Sequence, residues 1–146
     1  MNEWISQWWE DPKYGLLYQL NDGNVGFFFN DSTNLQGINF SSKVTFFDKK
    51  GKKSIIKMKK LKYIDNGKEI LSKMKILQSS INKVGLKGEE IKSCDIFIRR
   101  YIFSSKMFIL WLSNGQLQCR FEDKSELKIG KRHCMYINPQ KIKIIF

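Results

Sequence analysis

Residues 20–35 read LNDGNVGFFFNDSTNL, and residues 112–127 read LSNGQLQCRFEDKSEL. Moved by 92 positions (112 − 20), the first stretch lies on the second without a gap. Leu20 meets Leu112, Gly23 meets Gly115, Phe29 meets Phe121, Asp31 meets Asp123, Leu35 meets Leu127, and Val25 faces Leu117. At a shift of 90, Phe46-Phe47-Asp48 falls on Tyr136-Ile137-Asn138. Each copy has the same order: strand, Asx-Gly turn, strand, acidic turn, strand. An Asx-Gly pair between two β-prone runs is the strongest short-range hairpin signal. The chain therefore contains two copies of one β-module.

Outward from the first copy, residues 14–20, 25–29, 35–40, 44–47 and 54–58 are strand-sized runs separated by turn clusters. The period then changes. Ile70, Met74, Leu77, Ile81 and Val84 keep steps of four and three, one face of a helix over about 68–84. Asn66 with Glu69 predicts a capping box at its start, and Gly85 a left-handed stop at its end. Residues 87–95 (KGEEIKSCD) form a polar connector. Strands resume at 96–103, 107–112, 116–121, 126–129, 134–138 and 141–146. The fold class is α+β, mostly β: a first module over 1–86, a linker over 87–95 and a second module over 96–146.

Composition sets the remaining bounds. The 146 residues hold 42% hydrophobic side chains and 14% aromatic ones, which excludes general disorder. No apolar run approaches the length of a bilayer span, and the start MNEW has neither the basic nor the apolar region of a secretory signal. Cys94, Cys119 and Cys134 are widely spaced and accompanied by a single His, His133, so neither a disulfide framework nor a metal site is expected. Cys119 reads as a small core residue and His133 as a surface turn residue. The net charge of +12 favours acidic partners. Of the basic residues 22 are Lys, however, and Ala is absent, which looks like the habit of an AT-rich genome. The Lys-rich stretch 49–62 lacks interleaved aromatics and Arg for base readout, so nucleic acid is a remote alternative.

The segment EWISQWWED (3–11), followed by KYGLLYQLNDGNVGFFFNDST (13–33), resembles the opening of the first polo box of polo-like kinases. The second copy, FIRRYIFSSKMFILWLSNGQLQCRFED followed by MYIN, resembles the second polo box. The resemblance covers essentially the whole chain. It implies two six-stranded antiparallel sheets, each with a helix, packed as a β-sandwich whose cleft binds Ser/Thr-phosphorylated peptides. It also implies a targeting role at centrosomes, spindle, kinetochores or the division midzone, within cytoplasm and nucleus. A kinase domain is expected in the parent protein, but this chain shows no Gly-rich phosphate loop, HRD or DFG, so no catalytic residue and no cofactor are expected here.

The same resemblance supplies candidate site residues. Trp8 falls on the family Trp that contacts the residue before the phosphorylated one, Trp9 points to the opposite face, and Trp4 is a packing residue. The family's His-x-Lys pincer, in the string D-H-[ST]-K-L, is Asp123-Lys124-Ser125-Glu126-Leu127 here. Lys124 keeps a cation at the first arm, whereas Glu126 reverses the charge at the second. Arg120, on the same alternating strand, is the candidate for a compensating fork to the phosphate. Glu126 also supports the alternative of a polo-box scaffold that binds partners or itself without reading phosphate. The family's helical cap before the first box and its helix after the second are not seen, so an uncovered sheet face with self-association is expected.

Overall fold

The computed structural model describes residues 3–37, 42–87 and 95–145. Two compact units emerge: residues 5–95, and residues 96–146 joined by the segment preceding residue 5. The first carries strands β1 (Ile5–Asp11), β2 (Gly15–Leu20), β3 (Val25–Phe29), β4 (Asn34–Gln36), β5 (Lys43–Phe47) and β6 (Lys53–Lys57). They pair in that order as an antiparallel meander. A 3-10 helix over Met58–Tyr63 and helix α1 (Gly67–Val84) follow. The second unit carries β7 (Ile98–Phe103), β8 (Met107–Leu112), β9 (Leu117–Phe121), β10 (Glu126–Ile129), β11 (Cys134–Ile137) and β12 (Lys143–Ile145), again an antiparallel meander in sequence order. The two-sheet, one-helix reading of the sequence holds. The 3-10 turn was not expected, and residues 38–40 of the expected strand over 35–40 and most of the connector lie outside the described residues.

The repeat is visible in the turns. Leu20 N–H donates to Asn24 O at 2.8 Å and Gly23 N–H to Leu20 O at 2.9 Å; Leu112 to Gln116 and Gly115 to Leu112 repeat this at 2.9 and 3.0 Å. Gly23 and Gly115 sit at φ 93° and 84°, which is why the Asx-Gly pair is needed at both turns. At the acidic turns, Thr33 N–H donates to Asp31 Oδ1 at 3.1 Å and Ser125 N–H to Asp123 Oδ1 at 2.9 Å. Asp48 and Asn138 likewise accept the N–H of Lys52 and Ile142, both at 2.9 Å.

Helix α1 covers one face of the first sheet. Ile70, Met74, Leu77 and Ile81 join Leu17, Val25, Phe27, Phe29, Leu35, Val44 and Phe46 in one core. Val84, expected on this stripe, is exposed because it lies in the last turn. Gly85 stops the helix in the left-handed region at φ 75°, and its N–H reaches the Ile81 and Asn82 carbonyls. The expected capping box does not form: Asn66 makes no side-chain cap, and Glu69 turns to Lys73 instead. The sheet's other face is also buried, through Leu16, Tyr18, Leu20, Phe28, Asn34 and Phe47. There the Tyr18 hydroxyl donates to Asn34 Oδ1 at 2.9 Å. Its ring lies over Gly26, where an added Cβ would come within 2.4 Å of it.

Lys73 is the unexpected member of the core stripe. Its ammonium donates to Asp31 Oδ2 at 2.6 Å and to Thr33 Oγ1 and Glu69 Oε1 at 2.7 Å. It also lies 5.2 and 5.5 Å from the ring centroids of Phe29 and Phe46. Burial alone would raise the Asp31 pKa. The bonds from Lys73 and Thr33 outweigh it and hold the carboxyl below its ordinary value.

In the second unit burial alternates along β8: Phe108, Leu110 and Leu112 are buried, Met107, Ile109 and Trp111 half-buried. The half-buried side continues across the register through Phe121, Leu127 and Tyr136. Phe29 and Phe121 occupy the equivalent strand end, as the repeat requires, but their burial differs. Phe29 is 4% exposed beneath α1. Phe121 is only half-buried, since residues 95–145 contain no helix to cover that side.

Candidate functional site

Trp8 sits in the middle of β1, opposite Tyr18 of β2, and is half-buried. Strand alternation sends Trp9 to the other face, where it packs against the α1-covered core, as expected. Beside Trp9 a groove of about 400 Å³ opens between β1 and the end of α1, walled by Trp9, Pro12, Leu17, Phe27 and Val84.

In the second unit the acidic turn positions the other candidates. Asp123 accepts from the Ser125 backbone and hydroxyl, which lowers its pKa and closes the turn. The closure holds Lys124 at φ 72°, matching Ser32 at φ 71° in the first copy. Lys124 N–H donates back to Phe121 O at 3.0 Å, so the backbone is fixed while the side chain stands exposed at the tip.

Two residues later the register places Glu126 directly across from Arg120. Arg120 Nε donates to Glu126 Oε1 at 2.7 Å, and Nη2 donates to the same oxygen. The Glu126 side chain keeps 13% of its exposure and that of Arg120 34%. The expected outward fork of Arg120 is thus turned inward onto Glu126. Two opposite charges that the sequence placed in one neighbourhood neutralise each other across β9 and β10.

Sequence reasoning gave Lys128 no role. It is 5% exposed, and its ammonium lies 4.1 Å from the ring centroid of Trp4. Trp4 is therefore a packing residue, as expected, but its partner is a cation. Strand alternation puts Lys128 on the same side of β10 as Glu126, and that was the available signal. Cys119 is buried, and its thiol pKa is raised by that burial, as suits a core residue. His133 is exposed, its carbonyl closing the turn to Gly130 N–H at 2.8 Å. Among the described residues no group of three His, Cys, Asp or Glu side chains could hold a metal ion.

Comparisons with known proteins bear on the family and the fold. Residues 12–74 match the family model of the POLO box duplicated region. The serine/threonine-protein kinase PLK1 of Xenopus laevis is 31% identical over 127 residues, 81% of this chain and 21% of that protein. The Drosophila melanogaster kinase polo is 29% identical over 137 residues, 88% of this chain and 24% of that protein. The chain thus spans under a quarter of the length of these relatives. Among solved structures, the polo-box domain of budding yeast Cdc5 superposes with a TM-score of 0.71 at 20% identity, covering 100% of this chain and 63% of that one. The same domain in complex with an Spc72 phosphopeptide superposes with a TM-score of 0.70 at 20% identity, covering 100% of this chain and 59% of that one.

Proposed function

Because the chain belongs to the polo-box family, we propose that it is a non-catalytic module that binds Ser/Thr-phosphorylated peptides and targets an attached polo-like kinase to mitotic structures. Residues 1–86 form the first box and 96–146 the second, with 87–95 as linker. Trp8 of the first box offers an aromatic surface to the peptide, and Lys124 of the second offers the cation for the phosphate. A phosphothreonine carries close to two negative charges and three acceptor oxygens, so a fixed cation beside it makes a charge-assisted bond.

The Arg120–Glu126 pair carries this reading. An uncompensated carboxylate at the second arm would repel the phosphate. With the Arg120 guanidinium on its oxygen, that arm is close to neutral, and Lys124 is left as the exposed charge at the turn. The test is a titration of a Ser-phosphothreonine peptide and its unphosphorylated twin against the chain, with tighter binding of the phosphorylated form expected. A second reading, a phosphate-independent scaffold, is favoured by the presence of Glu126 where the family has Lys. Equal affinity for the two peptides would select it.

A further inference from the structure

Strand β6 ends the first sheet, and among the described residues it pairs with β5 alone. Its register fixes which backbone groups face outward. Met58 N–H donates to Ser42 O at 2.8 Å just beyond one end of the pairing, and Asp48 N–H to Lys52 O at 3.0 Å just beyond the other. Hydrogen-bonded pairs alternate in an antiparallel ladder. Ser54 and Ile56 therefore direct their backbone groups to β5, while the N–H and C=O of Lys53, Ile55 and Lys57 point to the open edge. Strand alternation also puts these three side chains on one face, where Ile55 is 51% exposed and Lys57 exposed.

The charge along this edge is of one sign. Residues 43–62 hold nine Lys and one carboxylate, Asp48, which accepts the Lys50 and Lys52 N–H groups. Lys43 and Lys57 stand directly opposite each other as a non-hydrogen-bonded pair, the arrangement that brings side chains closest. Like charges so placed repel. Together with Lys59, Ser42 and Met58 they wall a groove of about 400 Å³ at the end of β6. Among the described residues no carboxylate pairs with these three lysines. At the other end Lys53 lies 2.7 Å from the Asp95 carboxylate, which illustrates the chemistry this edge takes. A second copy of β6, added antiparallel about Ile55, would set Lys53 against Lys57 twice, so the lysines repel a copy of the chain and favour an acidic strand.

We propose that β6 is a docking edge for an extended acidic segment of a partner protein, which adds as a further antiparallel strand with the pattern acidic-x-apolar-x-acidic. Its apolar residue lies beside Ile55, its first carboxylate enters between Lys43, Lys57 and Lys59, and its second meets Lys53. Main-chain bonds to the edge supply affinity, and the alternating side chains supply specificity. Trp8 and Lys124 take no part.

The test uses the whole chain and a fluorescent peptide with blocked ends, Thr-Glu-Thr-Val-Thr-Glu-Thr, followed by anisotropy at one salt concentration. The peptide should bind, and a scrambled one of the same composition, Glu-Glu-Thr-Thr-Val-Thr-Thr, should bind about tenfold more weakly or worse. N-methylation at Val, whose N–H faces β6 in this register, should abolish binding, whereas N-methylation at a neighbouring Thr, whose N–H faces away, should leave most of it. Lys57→Glu should weaken the peptide about tenfold, and changing the peptide's first Glu to Lys should restore binding to that variant. A Ser-phosphothreonine peptide should not displace the acidic one. Absence of binding by the alternating peptide overturns the docking edge. Equal binding of the scrambled peptide, or binding that survives N-methylation at Val, means that the lysines attract any polyanion, nucleic acid included, and overturns it too. Displacement by the phosphothreonine peptide places the acidic strand elsewhere and has the same consequence.

Discussion

Arg120 and Glu126 face each other across β9 and β10, with guanidinium Nε 2.7 Å from carboxylate Oε1. The pair turns a charge reversal at the expected phosphate arm into a neutral one. Its removal should act in opposite directions from its two ends. Arg120→Ala takes the guanidinium off the carboxylate and should lower phosphopeptide affinity several-fold, with little effect on the unphosphorylated twin. Glu126→Lys removes the acceptor, adds a cation, and should raise the affinity ratio of the two peptides. Calorimetric titration of both variants at fixed salt checks the pair.

Lys73 joins helix α1 to the acidic turn of the first box. Lys73→Met keeps the stem volume but strands Asp31 and Glu69 beside each other without their shared cation. A loss of about 1–3 kcal/mol is expected, read as a lower midpoint of urea unfolding with unchanged slope.

Asp31 sets the acid limb of stability. Its folded pKa lies below the ordinary carboxylate value through Lys73 and Thr33, despite burial. The unfolded chain therefore binds the proton first, and the stabilisation present above about pH 4 is lost as pH falls through the folded value. Asp31→Asn should be less stable at neutral pH and flatter between about pH 5 and 2. Unfolding midpoints over that range decide it.

Lys128 gives the opposite limb. Its folded value of about 8 lies below the unfolded value of about 10.4. The unfolded chain binds more protons between the two, so this group makes stability rise with pH across that interval. Lys128→Met should lose the rise.

Gly26 is held open for the Tyr18 ring. Gly26→Ala places a Cβ within 2.4 Å of that ring and should cost about 1–3 kcal/mol, seen as a fall in thermal midpoint.

Much of the fold was legible because it is written twice. Gly23 with Gly115 and Asp31 with Asp123 mark the same turns, and the step from period two to period 3.6 at Ile70 marks the helix. The equality of Phe29 and Phe121 was not legible in full, since burial depends on what covers a strand, and α1 covers only the first. Of the candidate site, the place of Trp8 on β1 and of Lys124 in the acidic turn was legible, but not the charge state around Lys124. That Arg120 neutralises Glu126 depends on a cross-strand register that residue spacing leaves open. Lys73 and Lys128 escaped notice because a Lys in a Lys-rich chain looks solvated until its ammonium is found among carboxylates or against an indole.

The central claim is that Lys124 reads a phosphate. Its direct test is the affinity ratio of a Ser-phosphothreonine peptide to its unphosphorylated twin, for the wild-type chain and for Lys124→Ala, at one salt concentration. The account predicts a wild-type ratio of about ten or more that falls toward one in Lys124→Ala, while the unphosphorylated affinity stays unchanged. A wild-type ratio near one, or a high ratio that Lys124→Ala leaves intact, would contradict it.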